Sequence, residues 1–373
     1  MNSGISVAPV SSSKDRHAFI EFPKRLHAAD PHWVAPLDRD LKQLLTLGKH
    51  PFHAEGRVEP LLARCGGEVV GRIAAIRNPA HERHWNEAVH FFGFFECVRD
   101  EPVARALLAE VSARAEGRPV LRGPFSPSTN YECGVLIEGR PGRPTLMMPH
   151  NPPWYGELIE SAGLSKRMDL LAWEFTNDNV DLPRWQRIAG LIKKREGVHL
   201  RPFDMQHFAR EVELVQRIYH DAWRDNWGFV PMSTAELRAM AVELKPIIRP
   251  ELGAFVMKGT EAVAFQLALP DYNEVLQKLK GRLFPTGFLQ LLFAKRKLRH
   301  LRVMLMGVVQ AERHKGLDVL LYADIAEKAL RYDIQSTEAS WILETNDAMN
   351  NTIARGGGQL TRRYRIYEKS LGD

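Results

Sequence analysis

The chain has 373 residues, with 51 Lys+Arg against 45 Asp+Glu, a net charge of +6 and 45% hydrophobic residues. At roughly 150 residues per domain this length predicts two or three domains, and the composition excludes disordered, collagenous and low-complexity classes. The mild positive balance suits an anionic cofactor or a lipid surface and does not nominate nucleic acid. Cys65, Cys97 and Cys133 lie far apart, with no CxxC and no paired-His spacing. That excludes a disulfide framework and argues against zinc, so no metal site is expected. No stretch approaches 18 uninterrupted apolar residues, and the N-terminus lacks a basic segment followed by an apolar core. A cytoplasmic setting is the expectation.

In chain order, one layout occurs twice. Ile5, Val7, Pro9 and Val10 form a short alternating strand followed by Ser11 to Ser13 as capping material; Val198, Leu200, Pro202 and Phe203 repeat the spacing, followed by Asp204. A hairpin comes next in each copy, turning at Gly66-Gly67 and at Gly259-Thr260. A third strand (90–98 or 301–309) leads into a helical segment (103–116 or 319–331). Asn151 is followed by Gly163 twelve residues on and Arg167 sixteen on; Asn346 is followed by Gly358 and Arg362 at the same offsets. Trp154 and Leu158, or Met349 and Ile353, share one helical face, which the Gly then ends in a left-handed conformation. A final strand (168–175 or 363–370) closes each copy. The repeat reads β-α-α-β-β-β-α-β-α-β, with a linker near 176–197. The fold class is α/β (α+β), with domains over 1–180 and 195–373, each a mixed central sheet flanked by helices.

In the second copy the third strand runs into Val308-Val309-Gln310-Ala311-Glu312-Arg313-His314-Lys315-Gly316-Leu317-Asp318 and then a helix. Backbone N–H groups at a helix start, with Gly allowing close approach, form an anion site, and Arg313 and Lys315 add charge. This pattern resembles the R-x-x-G-x-G/A pyrophosphate loop of the GNAT (Gcn5-related N-acetyltransferase) superfamily. It departs from it at Asp318, where that superfamily usually carries Gly or Ala. The equivalent junction in the first copy, 95–102, has no glycine and mostly acidic charge, so the first copy reads as degenerate.

The resemblance implies two splayed strands, matching 303–309 and 339–345, with a pantetheine arm between them. Acyl-CoA, or an acyl carrier protein thioester, is then the co-substrate, and no permanently bound cofactor is expected. An amine attacks the thioester, a base takes a proton and a backbone N–H steadies the oxyanion. Val309 N–H is the expected oxyanion donor, Glu344 the expected base, and Asn346 completes the candidate catalytic set. Val308, Val309, Arg313, His314, Lys315, Gly316, Leu317 and Asp318 are the donor-binding candidates. His314 and Glu312 are alternative bases. Asn350 and Asn351 stand where a tyrosine acid is often found, which leaves proton return to the thiolate unassigned.

Segments 222–231 and 126–134 fall where the acceptor walls would lie. They nominate Trp227, Phe229, Asn130, Tyr131 and Glu132 for substrate binding; Cys133 has no His placed by sequence to activate it. Between two strands, 273–300 interleaves Leu and Phe with seven Lys and Arg, and Pro285 and Gly287 break it into two helical pieces. Basic amphipathic segments of this sort bind anionic bilayers or cover long acyl chains.

Asp30-Pro31-His32-Trp33-Val34-Ala35-Pro36-Leu37, Phe91-Phe92-Gly93-Phe94-Phe95-Glu96, 126–134, Asn151-Pro152-Pro153-Trp154-Tyr155 and Leu283-Phe284-Pro285 together resemble a bacterial family of double-GNAT acyltransferases that includes the bacterial ceramide synthases. The resemblance implies long-chain N-acyl transfer to a sphingoid base, with peripheral contact to the inner membrane through 274–300. Acylation of an amino acid or other small amine, and non-catalytic binding of an acyl thioester or lipid, are the alternatives.

Overall fold

The computed structural model describes residues 4–283, 287–295 and 297–372. Phe284, Pro285 and Arg296, which the sequence places in the basic segment, lie outside the described residues. The elements are β1 (Ile5–Pro9), α1 (Ser13–Leu26), α2 (Asp38–Leu44), β2 (Arg57–Cys65), β3 (Glu68–Arg77), α3 (Pro79–Trp85), β4 (Val89–Cys97) and α4 (Glu101–Ala113). They continue as β5 (Val120–Gly123), β6 (Phe125–Ser126), β7 (Glu132–Cys133), β8 (Val135–Gly139), α5 (Tyr155–Ser161), β9 (Ser165–Thr176), α6 (Leu182–Glu196), β10 (Val198–Pro202), α7 (Phe208–Trp223) and α8 (Thr234–Leu244). The last are β11 (Gly253–Lys258), β12 (Glu261–Pro270), α9 (Asn273–Leu279), α10 (Gly287–Ala294), β13 (His300–Val308), α11 (Leu317–Arg331), β14 (Ser336–Leu343), α12 (Asp347–Arg355) and β15 (Gln359–Ser370).

Local chemistry sets many of these boundaries. Ser12, Asn78, Asp181, Ser233 and Asn346 each cap a helix by accepting a backbone N–H. Gly66 and Gly67 take positive φ in the β2–β3 turn. Gly163 does so after α5, whereas after α12 it is Gly357, one residue before the Gly the repeat nominates. The stretch expected as a linker contains α6, which Gly197 ends at φ +64°. Its buried residues Trp185, Ala189 and Ile192 make it a packed helix.

Two compact units result. One comprises 1–170, 275–287 and 362–373; the other comprises 171–274 and 288–361. In the first, β1, β2, β3 and β4 are antiparallel neighbours and β4 runs parallel to β5. Leu61, Ile73, Phe92, Leu107, Leu108, Val111 and Ile159 bury the faces of sheet, α4 and α5 against one another. Tyr367–Ser370 of β15 pair with β5, and Arg362–Arg365 pair with β8. The strand expected to close the second copy is thus hydrogen-bonded in the first unit. A repeat makes two edges chemically equivalent, so sequence alone does not choose between them.

In the second unit, β10, β11, β12 and β13 are antiparallel and β13 runs parallel to β14. Leu301 and Ala268 pack under Ile325 and Ala329 of α11. Each unit therefore holds a mixed sheet flanked by helices, and each contains one parallel pair at the same step of the repeat.

Candidate active site

The parallel pair in the second unit is short. His300 to Val303 pair with Ser336 to Ala339, yet β13 continues to Val308 and β14 to Leu343. Past Val303 and Ala339 no pairing joins the two strands among the described residues, so they form a fork. The β12–β13 register slips at the same level: Leu305 stands opposite Leu267 and Val303 opposite Ala268, which leaves Met304 as a bulge. A bulge bends a strand and releases its backbone groups from the ladder, here where β13 leaves β14.

The N–H of the expected oxyanion donor is already engaged. Val309 N–H donates to Val263 O at 2.9 Å and so belongs to the sheet. The first copy makes the same bond, from Val98 N–H to Val70 O at 3.0 Å. Amides alternate in direction along a strand, so the N–H groups of Val308 and Met306 face the fork instead. Sequence spacing identified the strand but not its register.

At the mouth of the fork the chain turns through Gln310–Glu312 into Arg313, His314 at φ +64° and Gly316 at φ +78°. A Cβ at Gly316 would meet Ile192 Cδ1 at 2.9 Å as well as the left-handed backbone. Gly316 ends in the first helical bond, from Val319 N–H to Gly316 O at 3.0 Å. The turn is anchored on the last turn of α7: Gln310 N–H donates to Asp221 Oδ2 at 2.6 Å, and the Arg313 guanidinium donates to Ala222 O. Lys315 and Lys258 both reach Glu312, each at 2.9 Å, and hold its carboxyl below the usual range. Glu312 is thereby a structural counter-ion. Burial pushes the Asp318 carboxyl up, against the pull of its own and the Val319 N–H.

Glu344 is half-buried and lies just beyond β14, five positions past Ala339. Asn346 Oδ1 accepts Met349 N–H at 3.2 Å, which makes its side chain the cap of α12. Asn350 bridges Trp173 Nε1–H, at 3.0 Å, and Leu343 O, also at 3.0 Å. Of the acceptor candidates, Trp227 is half-buried, while Phe229 is buried with its ring 5.3 Å from that of Tyr219. Phe229 is a core residue in this arrangement.

Asn130, Tyr131 and Glu132 belong to the first unit, on a segment with an unexpected position. There β4 and β5 also part, after Phe91 and Arg122. Residues 124–126 run into the opening: Phe94 N–H donates to Ser126 Oγ at 3.2 Å, and Phe125 is buried. The loop closes on itself through Gly134 N–H to Pro124 O at 2.9 Å. The first fork is thus filled by its own chain. Cys133, the cysteine weighed as a nucleophile, is buried on this segment; in the neighbouring β4, burial pushes the Cys97 thiol up to about 12.

A buried hub that sequence reasoning missed lies in the same unit. Glu96 accepts from Tyr155 Oη–H at 2.6 Å and pairs with His27 Nε2 at 2.8 Å, with Arg72 at 3.6 Å. Trp33 stacks on His27 at 5.0 Å. Trp33, Glu96 and Tyr155 each come from a different motif that carried the family resemblance, so the shared motifs converge here.

No family model matches the chain. A bacterial ceramide synthase of Caulobacter vibrioides is 35% identical over 382 aligned positions, which cover 99% of this chain and 98% of that protein. The chain belongs to the family of this bacterial ceramide synthase. Protein YghO of Escherichia coli (strain K12) is 34% identical over 369 positions, covering 96% and 94% of the two chains. Among solved structures, a tandem GNAT protein from the clavulanic acid biosynthesis pathway superposes with a TM-score of 0.58 at 13% identity, over 99% of each chain. A GCN5-related N-acetyltransferase from Sphaerobacter thermophilus gives 0.54 at 13% identity, over 100% and 98%. These likenesses show the tandem GNAT fold. Within the bacterial ceramide synthase family, this chain is an acyltransferase.

Proposed function

We propose that the second unit transfers a long-chain acyl group from acyl-CoA to the amine of a sphingoid base. The observation that carries the reading is the open fork between β13 and β14, with an anion-binding turn at its mouth. An extended pantetheine arm needs backbone groups on one side and room on the other, which the fork supplies through Met306 and Val308. The pyrophosphate would sit against the start of α11, near Arg313, His314, Lys315 and Gly316. Full-length identity to a bacterial ceramide synthase supports the sphingoid base over other amines.

The reading includes contact with an anionic bilayer. On α10, Phe288, Leu289, Leu292 and Phe293 are all exposed, Phe293 by 73%, and Lys295 and Lys297 follow directly. Exposed apolar side chains beside basic ones match the lipid–water interface, where both find a partner. No described helix is long and apolar enough to cross a membrane.

The test is thiol release from acyl-CoA with a panel of amines, with products identified by mass spectrometry. An N-acyl sphingoid base is the expected product. Turnover with amino acids alone would replace the acceptor, and acyl-CoA binding without thiol release from any amine would overturn the reading.

A further inference from the structure

Arg302, Glu338 and Ser340 form a buried polar cluster at the base of the fork, exposed by only 6%, 4% and 6%. Glu338 stands opposite Arg302 in the parallel register, and Ser340 is the first residue of β14 beyond the last paired position, Ala339. Ser340 Oγ–H donates to Glu338 Oε1 at 2.6 Å. Arg302 Nε donates to Ser340 Oγ at 3.0 Å, and Arg302 Nη2 donates to Ser340 O at 3.1 Å. One hydroxyl is therefore held between a carboxylate and a guanidinium.

Packing alone does not call for this arrangement. Apolar residues of similar size would join two strands as well or better, because buried charges carry a desolvation cost of several kcal/mol each in typical proteins. The backbone ladder stops at this step, and the Met304 bulge lies at the same level on the opposite strand. From Met304 to Val308 the strand extends about 13 Å at 3.3 Å per residue. An extended pantetheine arm with its pyrophosphate at the mouth is long enough to bring its sulfur to the base.

The geometry points to Glu338 and Ser340 as a proton relay from the attacking amine to the leaving sulfur; this rests on the reading that an acyl thioester occupies the fork. The neutral amine attacks the thioester carbon, forming the C–N bond and placing the carbonyl electron pair on oxygen. Glu338 takes the proton that nitrogen then sheds. As the carbonyl re-forms, the C–S bond breaks and its electron pair remains on sulfur. Ser340 gives its hydroxyl proton to sulfur and recovers one from Glu338. The products are an amide and a thiol, with both side chains restored. Arg302 is a positioning residue that fixes the Ser340 hydroxyl. The relay supplies the acid that sequence left unassigned when no tyrosine followed the strand.

Ser340→Ala is the test, because it removes one oxygen and leaves Glu338 facing Arg302. With a long-chain acyl-CoA, kcat should fall on the order of 100-fold while KM for the donor changes less than about twofold. With the same acyl group on an aryl thiol, which is more acidic and leaves without a proton, the loss should shrink to about fivefold or less. Glu338→Gln should lose on the order of 100-fold with both donors, since nitrogen must shed its proton in either case. Wild-type kcat in Ser340→Ala, or an equal loss with both thiols, would overturn the relay. Should Glu338→Gln fail to fold, the Ser340→Ala comparison decides alone. If the wild-type chain released no thiol with any amine, the acyl-transfer reading itself would fall.

Discussion

Gly93 and Phe125 stand backbone to backbone: a Cβ at Gly93 would lie 1.4 Å from the Phe125 carbonyl oxygen. The contact occurs where β4 and β5 separate, so the first copy has its own chain where a donor would have to enter. Gly93→Ala must displace residues 124–126, and the cost expected from overpacking a buried backbone is about 3 kcal/mol or more. A fall in the thermal midpoint checks this. Calorimetric titration of the wild-type chain with CoA should correspondingly give one site per chain, and two equal sites would show that the first fork opens.

Asp318 imposes a pH dependence on donor binding. Its carboxyl titrates above the ordinary 3.8 because burial disfavours the charge. Ionised, it repels a phosphate at the start of α11; protonated, it does not. CoA affinity should therefore weaken as pH rises through the raised value. The sign for folding is the same, since a carboxyl with a raised native pKa is best tolerated when protonated. Asp318→Asn should tighten CoA about tenfold at neutral pH, near the upper range for a charge at a helix end, and should flatten the dependence. Calorimetry across the acid range reads both effects.

Two carboxylates compete for the role of base, one near the start of β14 and one just past its end. Glu338 is beside the last paired residues, whereas Glu344 lies five positions past Ala339, about 16 Å along an extended chain. A base must touch the nitrogen that attacks the thioester, which places it near the base of the fork. Glu344→Gln should keep kcat within about threefold, against a loss on the order of 100-fold in Glu338→Gln. Single-turnover kinetics with saturating donor separates them. Abolished turnover in Glu344→Gln alone would return the role to Glu344.

What the sequence disclosed was local. Gly316 before α11, Asn346 before α12 and the glycines of the β2–β3 turn act on their own neighbours, so their spacing reveals them. Register is different in kind. Val309 reads as the residue at the end of a strand, but whether its N–H faces the fork or Val263 depends on pairing with β12 and on the Met304 bulge. Arg302 and Ser340 are 38 positions apart and meet through a parallel register that leaves no trace in local pattern. The same limit hid the Glu96 hub, whose partners His27 and Tyr155 lie 69 and 59 residues away. Phe229 illustrates the converse: an aromatic run looks like a substrate wall until burial shows that one of its rings is core.

The α10 surface yields the last prediction. Phe288 and Phe293 are 48% and 73% exposed, and water offers such rings nothing that compensates for their apolar area. Lys295 and Lys297 beside them favour lipids with negative headgroups, each basic residue near such a surface contributing about 1 kcal/mol. The full chain should float with vesicles containing phosphatidylglycerol, bind neutral vesicles less well, and be released as salt rises. Phe288→Glu with Phe293→Glu replaces two inserting rings by charges that the headgroups repel. This variant should lose vesicle binding at least tenfold, since burying one such ring is worth roughly 1.5–3 kcal/mol. It should keep wild-type turnover on detergent-solubilised substrates, because both substituted rings face outward. Equal flotation of wild type and variant would show that the patch meets something other than a bilayer.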